Sequence, residues 1–251
     1  MKLNHPIKKL RLSVRAVSKI DNWWDYFFDY LGLKNGYVTY SINGKKIKTR
    51  GGTIDKSIFT EVALEELYLP EWLDLGESAT VVDVGAHIGV FSVMASSIIG
   101  EGKVYAIEPS RKNFDLLIEQ VRINDDKKII PFNIALSNKK SKMKLYSGKH
   151  SARGSLLRDE GGSYEEVDTM TLKDFFRKEK IHKCELLKMD IEGAEYDVLY
   201  STPRSVFDKI DNLFMEIHKI EGESRKELIE FLEKQGFKTR YKNEDFVYAF
   251  K

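Results

Sequence analysis

The sequence predicts an α/β fold, in which a mostly parallel sheet with helices between its strands ends in an antiparallel hairpin. Two observations predict it. After Gly76, short apolar segments alternate with segments of helical periodicity, which is typical of βαβ units with right-handed crossovers. Near the C-terminus, two strand-like segments at 237–241 and 246–250 flank a short polar stretch, which indicates a hairpin.

The N-terminal part is predicted to form helices and one hairpin. Residues 7–33 have helical spacing and end in a cluster of aromatic side chains. Asn43-Gly44 lies inside the strand-like segment 37–49 and favours a type I′ turn, because both central residues of that turn need a positive φ. A further helix is predicted over residues 55–69.

The remaining elements follow the same alternation. Residues 135–170 are less regular, with a strand at 142–146 and a loop rich in Gly and Ser around 150–164. The predicted strands of the sheet are 79–84, 103–108, 128–133, 184–190 and 213–217, and the predicted helices between and after them are 89–99, 111–123 and 224–235.

Composition excludes several classes of protein. The chain has 251 residues, with 41 Lys and Arg against 39 Asp and Glu, and this net charge of +2 argues against a dedicated nucleic-acid-binding protein. The single cysteine excludes an internal disulfide bond and multi-cysteine zinc or iron–sulfur sites. No apolar run is long enough to cross a membrane and no secretory signal is recognisable, so we expect a cytoplasmic protein.

A glycine-rich turn joins the first strand of the sheet to its helix. Gly85 and Gly89 let the backbone approach a ligand closely, and the amides at the start of the helix add positive partial charge. The spacing is not that of a dinucleotide site, which has glycines where this chain has His87 and Val90. Asp83, just before the turn, would repel a phosphate but suits an amino group.

Glu108 ends the second strand of the sheet, where a carboxylate can accept both hydroxyls of a ribose. A glycine turn, a preceding acid and a ribose-binding acid together indicate S-adenosylmethionine (AdoMet), which carries an amino group and a ribose but no phosphate. The alternative is a tight strand–helix turn with two surface acids.

The chain resembles the FkbM-type methyltransferases from about residue 50 to residue 218, and the first 35 residues lie outside the resemblance. The Lys-x-Asp-x-Glu-Gly-Ala-Glu block is the most specific part. The matching motifs are Val82-Asp-Val-Gly-Ala-His-Ile-Gly-Val-Phe-Ser92, Ile107-Glu-Pro-Ser110, Asn133-Ile-Ala-Leu-Ser137, Leu186-Leu-Lys-Met-Asp-Ile-Glu-Gly-Ala-Glu195 and Met215-Glu-Ile-His218.

This resemblance implies a class I AdoMet-methyltransferase (Rossmann-like) fold, with a seven-stranded sheet, and an AdoMet-dependent O-methyltransferase acting on a hydroxyl of a carbohydrate or another small molecule. The family usually has Asn where this chain has His87, and Asp where it has Lys173. The residues implied around AdoMet are Asp83, Gly85, Ala86, His87, Gly89 and Glu108, with Asn133, Ile134 and Ala135 beside the adenine.

Methyl transfer to an alcohol also needs a group that removes the hydroxyl proton. Asp190 and Glu192 end the fourth strand, and Glu216 and His218 end the fifth, at the edge of the sheet where such groups meet. We predict that His218, oriented by a carboxylate, is the general base, with Asp190 as the second candidate. Alternatively, His218 is a solvated or core-capping residue.

A metal ion is another possibility at this edge. The oxygen ligands Asp190, Glu192 and Glu216 could hold Mg²⁺, but their spacing is not diagnostic, so we do not favour a metal. A nearby loop, residues 151–156, resembles the family's variable segment that faces the acceptor, and Arg153 could meet an anionic group there.

The N-terminal segment has an unusual composition. Residues 1–20 contain six basic side chains and no acidic one, and an aromatic cluster follows. We divide the chain into this basic and aromatic extension with its hairpin, residues 1–50, and a methyltransferase domain, residues 51–251. The extension could contact a membrane peripherally through residues 1–30, bind nucleic acid, or pack on the domain or on a second subunit. We favour packing, because aromatic side chains usually bury their large surface.

Three functions remain open. The leading prediction is O-methylation of a small-molecule, glycan or lipid-linked acceptor. An RNA methyltransferase is supported only by the basic extension, and the fourth strand lacks the Asn/Asp-Pro-Pro-Tyr/Phe run typical of amino-group methylation. A non-catalytic AdoMet-binding module would not need acids after both the fourth and the fifth strand.

Overall fold

The computed structural model describes residues 6–70, 72–147, 154–156 and 163–251. The N-terminal part contains α1 (Pro6–Lys19), α2 (Trp23–Tyr30), β1 (Tyr37–Ile42), β2 (Lys45–Arg50) and α3 (Asp55–Phe59), which continues into a π-helical turn, Thr60–Leu64. There follow β3 (Thr80–Val84), α4 (Val90–Ile98), β4 (Lys103–Ile107), α5 (Arg111–Ile123), β5 (Ile129–Phe132), β6 (Ala135–Leu136), β7 (Lys142–Ser147), β8 (Gly154–Ser155), β9 (Ser163–Met170), α6 (Leu172–Lys178), β10 (Cys184–Met189), α7 (Glu195–Tyr200), α8 (Arg204–Phe207), β11 (Ile210–Glu216), α9 (Arg225–Lys234), β12 (Lys238–Tyr241) and β13 (Phe246–Phe250).

A seven-stranded sheet forms the centre of the molecule, with the strand order β12-β13-β11-β10-β3-β4-β5. Strands β5, β4, β3, β10 and β11 run parallel, whereas β13 lies antiparallel between β11 and β12. The predicted α/β class and the antiparallel C-terminal hairpin are therefore confirmed. Because these strands run parallel, the carboxyl ends of β3, β4, β10 and β11 lie at the same edge of the sheet.

Helices cover both faces of the sheet, so its central strands are apolar on both sides. In β3, Val81 and Val82 point to opposite faces and both are fully buried. Val81 packs into a core with the N-terminal hairpin and α4, and Val82 into a second core with α6 and α7. This burial on both sides explains why β3 is a continuous apolar run in the sequence.

The predicted helix over 7–33 is two helices. Between α1 and α2, Ile20 pairs with Ile42 of β1, and the backbone N–H of Asp21 donates to the carbonyl of Ser41 at 2.8 Å. The side chain of Asn22 accepts from the N–H of Ser41 at 2.7 Å. These long-range bonds to β1 replace the helical ones, and helical periodicity alone does not reveal them.

The predicted helix over 55–69 is shorter and partly π-helical. It ends at Leu64, and Glu66, with a φ of +53°, turns the chain away. Lys19 of α1 forms an ion pair with Glu66, so the contact with α1 fixes the turn.

Residues 135–170, predicted to be less regular, contain all four strands of a second sheet with the strand order β6-β9-β7-β8, and β7 confirms the strand predicted at 142–146. Strands β7 and β9 pair antiparallel along their length, and Ala135, Leu145 and Val167 form a small core there. Arg153 and the first half of its predicted loop, residues 151–153, lie outside the described residues.

The N-terminal hairpin packs as part of the main body. Ile42 and Ile47 belong to the same core as Val81 of β3, so the predicted boundary at residue 50 does not separate two cores. The side chain of Gln120 on α5 donates to the carbonyl of Lys48 at 2.6 Å and accepts from its N–H at 2.9 Å. A helix side chain thus extends the pairing of β2. Within the described part, no helix combines the length and apolarity needed to cross a membrane.

We predict that Gln120→Leu lowers the free energy of unfolding by about 2–4 kcal/mol, because two backbone groups of Lys48 lose their partner inside the protein. Asn124 provides a matched control, since it makes the same pair of bonds to Lys46 at 2.8 Å each, but at an exposed position where water replaces them. Asn124→Leu should cost less than about 1 kcal/mol. Urea unfolding measures both, and equal losses would contradict the docking role of Gln120.

Candidate active site

A cavity opens at the carboxyl ends of β3, β4 and β10. Its walls bring the two predicted sets of residues together: the glycine turn and Glu108 on the cofactor side, and the acids after β10 on the catalytic side. The predicted residues that line it are Gly85, Ala86, His87, Glu108, Ala135, Asp190 and Glu192.

The glycine turn is required by close packing of the backbone. Gly85 has a φ of +76°, and a Cβ at this position would lie 1.9 Å from the carbonyl oxygen of Asp190. Gly89, with a φ of +85°, precedes α4, and a Cβ there would lie 2.5 Å from Leu117 on α5. Gly85 therefore lets β3 and the turn after β10 approach, whereas Gly89 packs α4 against α5 and does not line the cavity.

Glu108 is buried at the cavity wall. Its Oε2 accepts from the backbone N–H of His87 at 2.8 Å, and its Oε1 accepts from the N–H of Ser110 at 2.9 Å. Burial raises the pKa of Glu108 to about 7, although the hydrogen bonds from Ser110, His87 and Asn113 and the charge of Lys188 act in the opposite direction. A carboxylate held by two backbone donors keeps lone pairs that can accept ribose hydroxyls.

Asp83 does not face the cavity, contrary to the prediction that it contacts the cofactor. Its side chain is fully buried, accepts from the hydroxyl of Ser92 at 2.6 Å, and lies 3.1 Å from Nζ of Lys188. Lys188 is the residue that lines the cavity, and it also donates to the carbonyl of Gly85 at 2.7 Å. The buried Asp83–Lys188 pair therefore fixes the glycine turn from behind.

The segment predicted beside the adenine, residues 133–135, faces the cavity only in part. Of its three residues, only Ala135 lines the cavity. The Asn133 side chain donates to the carbonyls of Glu108 and Pro109, at 2.9 and 2.8 Å, so it fixes the loop that carries Glu108. Ile134 packs against the core on the α6 side of the sheet. Strand alternation separates these neighbours, and only the structure shows which one faces the cavity.

A polar network behind the cofactor wall was not predicted from the sequence. Arg50 binds both carboxylate oxygens of Asp55, at 2.8 Å each, and Oδ1 of Asn113 at 2.8 Å. Burial would raise the pKa of Asp55, but the hydrogen bonds from Arg50 outweigh it and lower that pKa. Nε2 of His87 lies 3.9 Å from Asp55. The end of β2 thus supports the glycine turn.

The predicted catalytic residues form an acidic cluster around His218, and two of them, Asp190 and Glu192, line the cavity. Nδ1 of His218 lies 2.9 Å from Oε1 of the fully buried Glu195, while its Nε2 lies 3.5 Å from Glu192 and 4.0 Å from Asp190. The hydroxyl of Tyr68 donates to Asp190 at 3.2 Å. The three predicted catalytic residues therefore meet at one place.

The charge of His218 follows from this environment. Burial lowers the pKa of the imidazole, but the hydrogen bond with Glu195 and the charges of Glu195, Asp190 and Glu192 outweigh it and raise the pKa to about 9. The ring is therefore a strong proton acceptor, and it carries a proton at neutral pH unless another cation is present.

The cluster depends on a turn that strand alternation does not predict. Strand β10 ends at Met189, and Glu192 has a φ of +55°, so the chain folds back directly after the strand. Oε1 of Glu195 accepts from the N–H of Ile191 at 3.1 Å and closes this turn. Glu195 is the carboxylate that orients His218. It was not singled out from the sequence, although it lies in the Asp-x-Glu-Gly-Ala-Glu block that pointed to the family.

Glu216, predicted at the same edge of the sheet, instead lines a second groove beside α2.

The described residues contain one group that could hold a metal ion, Asp190, Glu192 and His218, whose potential ligand atoms lie within 4.8 Å of one another. Two carboxylates and an imidazole fit a divalent cation, and a carboxylate on the other ring nitrogen, as Glu195 provides, is common for a metal-bound histidine. His218, and not the predicted Glu216, is thus the third potential ligand beside Asp190 and Glu192.

Comparison with known proteins agrees with this geometry. The profile of the methyltransferase FkbM domain matches residues 83–239, more than half of the chain. The chain belongs to the FkbM methyltransferase family. It is therefore an AdoMet-dependent methyltransferase, and the predicted fold and family are confirmed.

Individual relatives are distant. The chain is 26% identical over 216 residues to methyltransferase sdnD of Sordaria araneosa, covering 73% of this chain and 81% of that protein. It is 26% identical over 242 residues to 31-O-demethyl-FK506 methyltransferase FkbM of Streptomyces tacrolimicus, covering 82% and 88%. A crystal structure of methyltransferase FkbM from Methylobacillus flagellatus has the same fold, with a TM-score of 0.51 and 16% identity. That match covers 78% of this chain, which spans about half of the crystallised one (53%).

We predict that Gly85→Ala abolishes AdoMet binding in calorimetry, because its Cβ would overlap the Asp190 carbonyl oxygen. Gly222→Ala is the matched control, since Gly222 also has a positive φ, of +85°, but no atom lies within 4 Å of the added carbon. This control should lose only about 1 kcal/mol of stability and keep AdoMet binding. Normal AdoMet affinity in Gly85→Ala would show that the close approach of the two turns is dispensable.

We also predict that AdoMet binding by the wild type weakens about tenfold per pH unit below pH 7, because protonated Glu108 loses acceptor capacity for the ribose. Above pH 7 the carboxylate is ionised and the affinity should be constant. Glu108→Gln should bind weakly at all these pH values. Calorimetry between about pH 5.5 and 8.5 tests this, and a flat wild-type profile would exclude Glu108 as the titrating ligand.

Proposed function

We propose that this enzyme transfers the methyl group of AdoMet to a hydroxyl of a carbohydrate or another small-molecule or lipid-linked acceptor. The observation that carries the proposal is the cluster of His218, Asp190 and Glu192, in which Asp190 and Glu192 line the cavity that the glycine turn and Glu108 form. Oxygen methylation needs a proton acceptor beside the reacting hydroxyl. The cluster supplies an imidazole and two carboxylates where a cofactor's reactive end and an acceptor can meet.

The chain's own residues would divide the work as follows. AdoMet supplies a methyl group on a sulfonium sulfur, and the walls of the cavity align it with the acceptor oxygen. Nε2 of neutral His218 accepts the hydroxyl proton, and Glu195 on Nδ1 stabilises the imidazolium that forms. Asp190, which accepts a hydrogen bond from Tyr68, orients the acceptor hydroxyl and is the second candidate for the base.

A divalent cation such as Mg²⁺ is the alternative at the same position. Held by Asp190, Glu192 and His218, it would lower the pKa of the acceptor hydroxyl. In that arrangement His218 is a neutral ligand, and Glu195 on its other nitrogen orients the ring. The two mechanisms need the same residues but differ in their response to chelation, so they can be separated by experiment.

We predict that turnover increases about tenfold per pH unit up to about pH 9, because only neutral His218 accepts a proton and its pKa is raised to about 9. Glu195→Gln removes the main group that raises this pKa, so the increase should shift toward the ordinary histidine value of about 6.5. Asp190 and Glu192, the other charges facing the ring, remain in this variant. The measurement is transfer of labelled methyl from AdoMet to a panel of sugar, polyketide and lipid-linked alcohols.

His218→Asn is the companion variant. It should lower turnover by about 100-fold or more with little change in AdoMet affinity, and it should remove the dependence on pH. Unchanged turnover would exclude His218 as the base. Loss of wild-type activity in EDTA, restored by Mg²⁺ or Mn²⁺, would assign the cluster to a metal ion. Transfer to none of the alcohols would contradict the proposed acceptor class while leaving the methyltransferase assignment intact.

A further inference from the structure

Exposed apolar side chains are concentrated on the N-terminal helices. Of the fifteen large hydrophobic side chains that are exposed in the described residues, nine lie between Val14 and Tyr37. Four of them recur at helical spacing along α2 and the residue that follows it, and so share one side of the helix. This α2 face consists of Trp24, Phe27, Phe28 and Leu31, each between 41% and 57% exposed. An apolar patch of this kind on a folded protein marks an interaction surface.

The α2 face is a continuous and fixed surface. The ring centroids of Trp24 and Phe28 are 6.5 Å apart, and those of Phe27 and Phe28 are 6.2 Å apart. The opposite side of α2 is anchored in the core by Tyr26, whose hydroxyl lies 2.9 Å from that of Thr60, and by the buried Asp29. The helix is therefore packed on the body, and its orientation exposes the aromatic side.

The segment that carries this surface has a positive net charge. Residues 6–37 contain six basic and three acidic side chains, in a chain that is almost neutral overall. Two of the acids are paired with lysines: Asp25 accepts from Lys34 at 2.8 Å, and buried Asp29 accepts from Tyr40 and lies 3.9 Å from Nζ of Lys56. Residues 6–37 thus have an excess of three positive charges. Nζ of Lys56 lies 5.6 Å from the ring of Tyr30. The neighbourhood of the α2 face therefore attracts anions.

We propose that the α2 face binds the surface of a bilayer containing anionic lipids. Trp and Phe rings favour the boundary between head groups and acyl chains, and lysine ammonium groups favour anionic head groups, so both features of the surface are accounted for. A second copy of the chain would cover the rings but would bring two basic surfaces together. The groove beside α2, lined by Trp23 and Phe27, shares Glu61 with the cofactor cavity, so docking would bring lipid-borne acceptors near the site.

The test is co-sedimentation of the full chain with vesicles of phosphatidylcholine containing about 30 mol% phosphatidylglycerol. We expect the wild type to sediment with these vesicles, about tenfold less with phosphatidylcholine alone, and less as salt is added. Trp24→Ser combined with Phe28→Ser should lose at least about tenfold in binding. Ile118→Ser is the matched control, because Ile118 on α5 is 41% exposed, like Phe28, and its binding should be unchanged.

A conservative variant gives a second measurement. Brominated lipids should quench the fluorescence of the wild type, and Trp24→Phe, which keeps the face apolar, should lose most of that quenching while still sedimenting. No binding of the wild type to anionic vesicles, or an equal loss in Ile118→Ser, would overturn the proposal. So would a wild-type dimer that becomes monomeric in the double variant. Calorimetry with AdoMet on each variant verifies the fold and keeps this test separate from the proposed methyl transfer.

Discussion

The site depends on the contact between two backbone turns. Gly85, at the end of β3, has no side chain, and this lets the carbonyl of Asp190, after β10, lie where a Cβ would otherwise be. Lys188 joins the same two strands, since it comes from β10 and binds both Asp83 and the carbonyl of Gly85. A buried charge pair is costly to break, because one partner is then left without compensation in the interior. The glycine turn and the acidic cluster around His218 are thus held side by side.

The same contact explains the electrostatics of the cavity. Glu195, Asp190 and Glu192 converge on His218 because the turn after β10 folds back instead of continuing as a strand. Their negative charge stabilises a cation at this place, such as the imidazolium or a metal ion. Elsewhere at the cavity, burial of Glu108 disfavours its charged form. Glu108 and His218 therefore change their protonation in different pH ranges.

The N-terminal extension serves the site and also presents a surface of its own. Arg50 at the end of β2 holds Asp55 and Asn113 next to the glycine turn, and Gln120 on α5 fixes β2. Tyr26 and Trp23 pack into or against the core, as expected if the aromatic cluster packs on the domain. The aromatic side chains on the other side of α2 stay exposed, so one aromatic cluster contains both a packing face and a free face.

The sequence by itself determined the α/β class, the parallel sheet with its antiparallel C-terminal hairpin, the glycine turn and the convergence of His218, Asp190 and Glu192, because these depend on local patterns and on a specific motif. Tertiary structure decided the break between α1 and α2, the second sheet at 135–170, and the direction of each side chain near the cofactor. Asp83 and Asn133 follow the motif but point into the protein, toward Lys188 and toward the backbone of the Glu108 loop. Such directions depend on partners distant in sequence, which a motif does not contain.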